Sequence, residues 1–169
     1  MRPVPGVLAS GGRRETAVDG IVLRRVELAE LIDLRRAVLR AGMPREAAVF
    51  PGDEAPTSRH YGAFRGDELL CCATLHASAW EGEPASQLRG MATSPAARRT
   101  GLGRRILQRI ERDLREDGGP LLLWCNARVP AVAFYRAMGW TVASHEFEIP
   151  TAGPHVRMVK RLETPMPKP

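Results

Sequence analysis

The chain has no apolar run long enough to cross a membrane: stretches such as LLLW at 121–124 stop far short of the roughly 20 residues a spanning helix needs. Its first residues, MRPVPGVLASGG, carry one arginine and a short apolar patch interrupted by Pro3 and Pro5. The continuous apolar core of a secretion signal is therefore missing, and the stretch reads as a tail. Cysteine is scarce. There are three, Cys71 and Cys72 adjacent and Cys125 distant, which matches neither a zinc spacing nor an even disulfide framework. They read as small buried apolar residues in a reducing, cytoplasmic setting. His60, His76 and His145 are scattered, with no carboxylate or second histidine at ligand spacing, so no metal site is expected. No internal repeat interrupts the pattern.

What is present suits one domain. The 169 residues are 44% apolar and 26% charged, as in an ordinary globular protein. The boundaries read as a tail at 1–19, a single domain at 20–162 and a second tail at 163–169. The net charge is +6, and its distribution is uneven. Seven arginines between Arg98 and Arg115 less Glu111 and Asp113 leave +5 there. Such a basic helix fits nucleic-acid phosphates, the rim of a pocket for a phosphate-bearing small molecule, or a solvated face.

Along the chain, GIVLRRVE (20–27) reads as a strand. Leu31, Leu34 and Val38 then predict an amphipathic helix that stops near Gly42 and Pro44. Residues 47–59, rich in Pro, Asp and Ser, predict a loop long enough to cover something. Two apolar runs flanking RGDE form a hairpin with Gly66 at its turn, and SQLRGMAT is a further strand. Ile106, Ile110 and Leu114, with Leu107 beside them, make one stripe of a helix ended at Gly118. PLLLWCNA reads as a buried strand, and Pro130 and Gly139 bracket a helix carrying Ala131, Phe134, Tyr135 and Met138. HEFEI and HVRMVKRL close the chain as an antiparallel pair. The order β α β β β α β α β β predicts an α/β (α+β) sandwich around one mostly antiparallel sheet.

One segment carries chemistry. RRTGLGRRILQ (98–108) sets two glycines between arginine pairs where a helix begins. The first turn of a helix has unpaired N–H groups and a partial positive charge, and bare backbone lets an anion approach them. The segment is thus suited to a phosphate or pyrophosphate. It is no P-loop, because no GKS or GKT follows, and it lacks the third glycine of the dinucleotide fingerprint.

Arg98-Arg99-Thr100-Gly101-Leu102-Gly103 has the Arg/Gln-x-x-Gly-x-Gly/Ala form of the GNAT superfamily of N-acetyltransferases, and MATSPAARRTGLG resembles that family's fourth strand and pyrophosphate loop. AVAFYRAMGW resembles its helix ending in Phe-Tyr, a small residue, glycine and an aromatic. The resemblance spans residues 20–162. It implies a GNAT-like sheet of six to seven strands with splayed fourth and fifth strands, and acetyl-coenzyme A as the donor. By the same resemblance, backbone amides of Arg99, Thr100, Gly101, Leu102, Gly103 and Arg104, with Arg98 nearby, would hold the pyrophosphate. Met91 and Thr93 would pair with the pantetheine arm as an added strand, and an N–H near Met91 or Ala92 would meet the oxyanion. Many family members carry asparagine seven residues before the tyrosine; this chain has Arg128 there, and Asn126 close by is the expected substitute for that cofactor contact.

Tyr135 matches the family position that faces the coenzyme sulfur, where it would orient or protonate the leaving thiolate. The fourth-strand glutamate that serves some branches as base is here Gln87. Glu146, Glu148 and His155 are the remaining candidates, and Glu148 is the expected base, with a water chain or an already neutral amine as the route that needs none. Arg89 hints at an acceptor bearing a carboxylate. The expected activity is acetyl transfer to a primary amine of a small molecule, amino acid or peptide. The alternatives are a nonenzymatic coenzyme A sensor and, weakest, a nucleic-acid binder, because a helix lying along phosphates needs no bare backbone. A homodimer is compatible with the resemblance, and no interface is readable.

Overall fold

The computed structural model describes residues 17–164 together with Met166 and Pro167. The expected N-terminal tail lies outside the described residues as far as residue 16, and positions 165, 168 and 169 of the C-terminal tail lie outside them too. The elements are β1 (Ile21–Val26), α1 (Leu28–Leu39), β2 (Arg59–Arg65), β3 (Glu68–Ala77), β4 (Ser86–Thr93), α2 (Leu102–Asp117), β5 (Leu122–Arg128), α3 (Val132–Ala137), β6 (Thr141–Val142), β7 (Phe147–Ile149) and β8 (Gly153–Arg161). They match the expected order with one addition. β6, two residues pairing with β8, brings the sheet to eight strands, and so short a strand leaves no periodic signal.

The sheet order is β1-β2-β3-β4-β5-β8-β6, with β7 also on β8. All pairs are antiparallel except β4 and β5, which the α2 crossover makes parallel. Two apolar layers lie on opposite faces. Ile106, Leu107, Ile110 and Leu114 of α2 are fully buried against one face, each worth about 1.5–3 kcal/mol of burial. Leu31 and Ile32 of α1 pack on the other, with Val26, Phe64, Cys72 and Ala92.

The α1 stripe departs from expectation. Its innermost side chains are Leu31, Ile32 and Arg35, whereas Leu34 is only half-buried. Arg35 is 0% exposed and donates to the Ala48 carbonyl (2.8 Å), to Asp53 Oδ2 (2.5 Å) and to Thr74 Oγ1 (2.6 Å). Thr74 in turn bonds His60 Nδ1 at 2.8 Å, and His60 Nε2 reaches the Asp53 carbonyl at 3.0 Å. A carbonyl can only accept, so His60 carries its proton on Nε2 and accepts from the threonine hydroxyl. Burial pushes the His60 pKa down, in keeping with this neutral ring. This buried polar chain ties the 45–58 segment to α1 and β3.

The same arginine sets the shape of β4. Between Cys72–Ala92 and Thr74–Arg89 the β3–β4 register slips, so Gly90 and Met91 together face one residue of β3. Gly90 has φ +60°, and a Cβ there would fall 2.7 Å from Arg35 Nε and Nη2. Only glycine satisfies both constraints.

Candidate functional site

β4 and β5 are paired only at Ser86–Leu123 and Gln87–Trp124. Beyond Gln87 and Trp124 they diverge, leaving the facing edges of both strands unpaired toward their C-terminal ends, the usual place for a ligand crevice in a sheet with helical crossovers. Two clefts open there, on either side of Met91, Ala131 and Tyr135, which line both.

The first cleft, about 490 Å³, is bounded by Met91 and Thr93 of β4, the 97–104 segment, and Phe134, Tyr135 and Met138. Gly101 caps α2 in the left-handed conformation (φ 82°, ψ 8°), and no side chain caps the helix. The first intrahelical bond is donated by Arg105, so the N–H groups of Leu102, Gly103 and Arg104 have no partner within the helix. A left-handed residue followed by helical ones forms a concave set of N–H groups that suits an anion. The two glycines act differently. A Cβ on Gly101 would meet nothing within 4 Å, so its bareness serves the backbone angle and leaves the concavity open. A Cβ on Gly103 would fall 3.1 Å from Met91 Cε and 3.3 Å from Phe134 Cζ, so its bareness lets α2 close on the cleft floor.

The basic helix divides. Arg109 pairs with Asp113 (2.9 Å), and Glu111 receives Lys160 at 2.6 Å and Arg115 at 3.7 Å. Arg98, Arg99 and Arg104 line the first cleft and are exposed. Charge at the C-terminal half is therefore largely spent within the fold, Arg105 and Arg112 line neither cleft, and Arg98, Arg99 and Arg104 surround the first.

Tyr135 is buried between Phe134 and Trp140, whose rings stand edge-on at 5.2 and 5.4 Å. Its hydroxyl faces Met91 Sδ at 3.7 Å, a weak acceptor. Burial raises its pKa far above the ordinary range, with smaller contributions from Cys125 and Cys71, so the phenol is neutral at any working pH. Lys160 Nζ, donating to the Met138 carbonyl at 2.7 Å, fixes the end of α3 that carries this ring. Ala92 faces the other side of the sheet, buried with α1, and only its backbone is available to the cleft. Thr100 turns inward locally, donating to the Ala97 carbonyl.

The second cleft, about 350 Å³, is lined by Arg40, Phe50, Gln87, Arg89, Asn126, Arg128, Ile149 and His155 among others. Asn126 thus stands with Arg128, one pleat apart on β5, and not beside the 97–104 segment. Arg89 is already engaged, donating to the Pro51 carbonyl and to Asp53 Oδ1.

Glu148 is not brought to this site. Strand alternation on β7 turns Phe147 and Ile149 toward the sheet and leaves Glu148 exposed; Ile149 lines the second cleft and Glu148 lines neither. Glu146 precedes the strand and is also exposed. His155, opposite Phe147 in the β7–β8 register, is buried and lines the second cleft. Its Nδ1 donates to the Gly153 carbonyl at 2.7 Å, which makes Nε2 the lone-pair nitrogen of the neutral ring. Trp140 packs in the core, and Trp80 stacks near Trp124 away from both clefts. Among the described residues no three metal-ligating side chains gather, and no helix is long and apolar enough to cross a membrane.

An anion-receptive rim, an open strand edge and a neutral phenol at the junction of two clefts suit a long ligand with an anionic head and a reactive end, met there by a second molecule. The chain matches the model of the acetyltransferase (GNAT) family over residues 28–140. No curated protein matches it. Among solved structures, Escherichia coli ElaA is 20% identical with a TM-score of 0.71, covering 83% of this chain and 99% of that one. An acyl-CoA N-acyltransferase from Pseudomonas aeruginosa is 21% identical (TM-score 0.67; 83% and 97% covered). An aminoglycoside 6'-N-acetyltransferase complexed with coenzyme A is 15% identical (TM-score 0.67; 87% and 98% covered). At these identities the likeness shows the fold.

Proposed function

Because the chain belongs to the GNAT acetyltransferase family, we propose that it transfers an acetyl group from acetyl-coenzyme A to a primary amine of a small molecule, amino acid or peptide by direct attack. The observation that carries this reading is the meeting of the two clefts at Tyr135 and Met91. The coenzyme pyrophosphate would lie on the free N–H groups of residues 101–104, with Arg98, Arg99 and Arg104 supplying charge. The pantetheine arm would pair with the open edge of β4 at Met91 and Thr93, and the thioester would reach Tyr135. The acceptor would enter by the second cleft.

In the transfer, the amine nitrogen forms a bond to the acetyl carbon and the carbon–sulfur bond breaks. A backbone N–H near Met91 or Ala92 would take the developing oxyanion, and the amine proton would pass to His155 Nε2, directly or through water. The departing thiolate would accept a hydrogen bond from the Tyr135 hydroxyl and take its proton from solvent relayed through that hydroxyl, the phenol staying neutral. The test is release of free thiol from acetyl-coenzyme A in the presence of an amine panel. Acceptor-dependent thiol release supports the reading. Coenzyme binding without turnover on any amine would favour a coenzyme A sensor instead.

A further inference from the structure

The second cleft holds a charge arrangement that acetyl transfer alone does not explain. Arg40, at the end of α1, and Arg128, at the end of β5, both line it, and no aspartate or glutamate does. Among the described residues neither has a carboxylate within 4 Å. The one buried carboxylate nearby, Asp53, is already engaged: Oδ2 accepts from Arg35 (2.5 Å) and the Phe50 N–H (2.7 Å), and Oδ1 from Arg89 (3.3 Å). Arg35 and Arg89 thus share this acid, and it pairs with neither Arg40 nor Arg128.

Arg40 is also positioned. It donates to the Leu39 carbonyl at 2.8 Å, and its guanidinium lies 4.9 Å from the centre of the Phe50 ring, whose position Arg35 also fixes at 4.5 Å. Desolvation and the nearby charges of Arg128 and Arg35 pull its pKa below the ordinary arginine value. Two like charges lining one half-dry concavity repel each other, and an anion between them would relieve that repulsion. Arg98, Arg99 and Arg104 are on the other cleft, so the coenzyme head does not supply that anion.

We propose that Arg40 and Arg128 form an oxyanion subsite, so that the acceptor is a small amine carrying a carboxylate or phosphate group. This rests on the acetyl-transfer reading for the word acceptor, but not for the anion site itself. The anion would be gripped at the Arg40–Arg128 end while the amine reaches Met91 and Tyr135. Charge-assisted hydrogen bonds to two guanidiniums would then set specificity.

The test reads binding without turnover. N-acetyl-β-alanine, N-acetylethanolamine phosphate and neutral N-acetyl-β-alaninamide are titrated by ligand-detected NMR. The proteins are wild type, Arg40→Gln, Arg128→Gln and, as control, Arg112→Gln, an exposed α2 position. One anionic probe should bind about 10- to 100-fold tighter than the neutral one, and which one it is separates carboxylate from phosphate. That advantage should fall about tenfold in either cleft variant and persist in the control. Equal binding of all three probes, no binding of any, or an advantage that survives both cleft variants would overturn the proposal. Because the pair repels, Arg128→Gln should keep or raise the melting temperature; a clear drop would mean Arg128 serves a structural ion pair and would also overturn it. Acetyl-coenzyme A binding in the same samples separates the two readings. Bound coenzyme without anion preference defeats the subsite alone, and anion preference without coenzyme binding defeats the transfer reading alone.

Discussion

Gly90→Ala tests how the sheet is held open. An alanine there must adopt φ near +60°, which costs about 1 kcal/mol. Its Cβ must also displace the Arg35 guanidinium, 2.7 Å away. That group cannot swing aside, because Asp53, the Ala48 carbonyl and Thr74 hold its tips at 2.5–2.8 Å. Moving it breaks a fully buried ion pair, a loss of about 3–5 kcal/mol. Gly66→Ala supplies the control: φ is +58°, and nothing lies within 4 Å of the added carbon. Urea unfolding followed by tryptophan fluorescence should therefore show Gly90→Ala destabilised by about 4–6 kcal/mol, roughly 10–20 °C in melting temperature, and Gly66→Ala by about 1 kcal/mol. If the two variants agree within about 1 kcal/mol, Arg35 does not pack against the β4 bulge as described.

Tyr135→Phe should lower kcat about 100-fold. Unfolding free energy should change by less than about 1 kcal/mol, since the hydroxyl has only a sulfur contact; an unchanged kcat would remove its role at the leaving thiolate. His155→Gln should likewise cost about 100-fold in kcat/KM, whereas Glu148→Gln should not affect turnover, and the reverse pattern in steady-state assays would restore Glu148 as base. Burial pushes the Cys71 thiol to about 11 and those of Cys72 and Cys125 to about 12, from an ordinary 9.0. Above pH 9 the unfolded chain loses these protons while the native one keeps them, so stability is full below pH 9 and falls as pH rises toward 11–12. Each thiol should account for a loss of the order of 1 kcal/mol by pH 10. Flat stability in urea titrations between pH 8 and 10.5 would contradict this.

The α2 motif was legible because its chemistry is local. Glycine angle, free N–H groups and flanking arginines all fall within seven residues of sequence, and Ile106, Ile110 and Leu114 announce the helix that follows. The divergence of β4 from β5 was readable only by resemblance, since where their pairing ends is set by contacts between distant elements, among them the buried arginine of α1 packed against Gly90 in the β4 bulge. Arg35 left one signal: it stands four residues after Leu31 on the apolar stripe of α1, where a charge needs a partner. The partner, Asp53, lies in the 47–59 segment, whose composition predicts a loop and says nothing of what it covers. Glu148 shows the limit of alternation. The two-residue step to Glu146 was visible, but which face of β7 meets the cleft is set by its register on β8.

Calorimetric titration with acetyl-coenzyme A and with acetyl-pantetheine, which lacks the pyrophosphate, on wild type and Gly101→Glu, tests the central claim most directly. The wild type should bind the coenzyme tightly and the truncated ligand at least about 100-fold more weakly, and a folded Gly101→Glu should lose the coenzyme's advantage. Absence of coenzyme binding to the wild type, or equal affinity for both ligands, would contradict the assignment of this helix start as a pyrophosphate site.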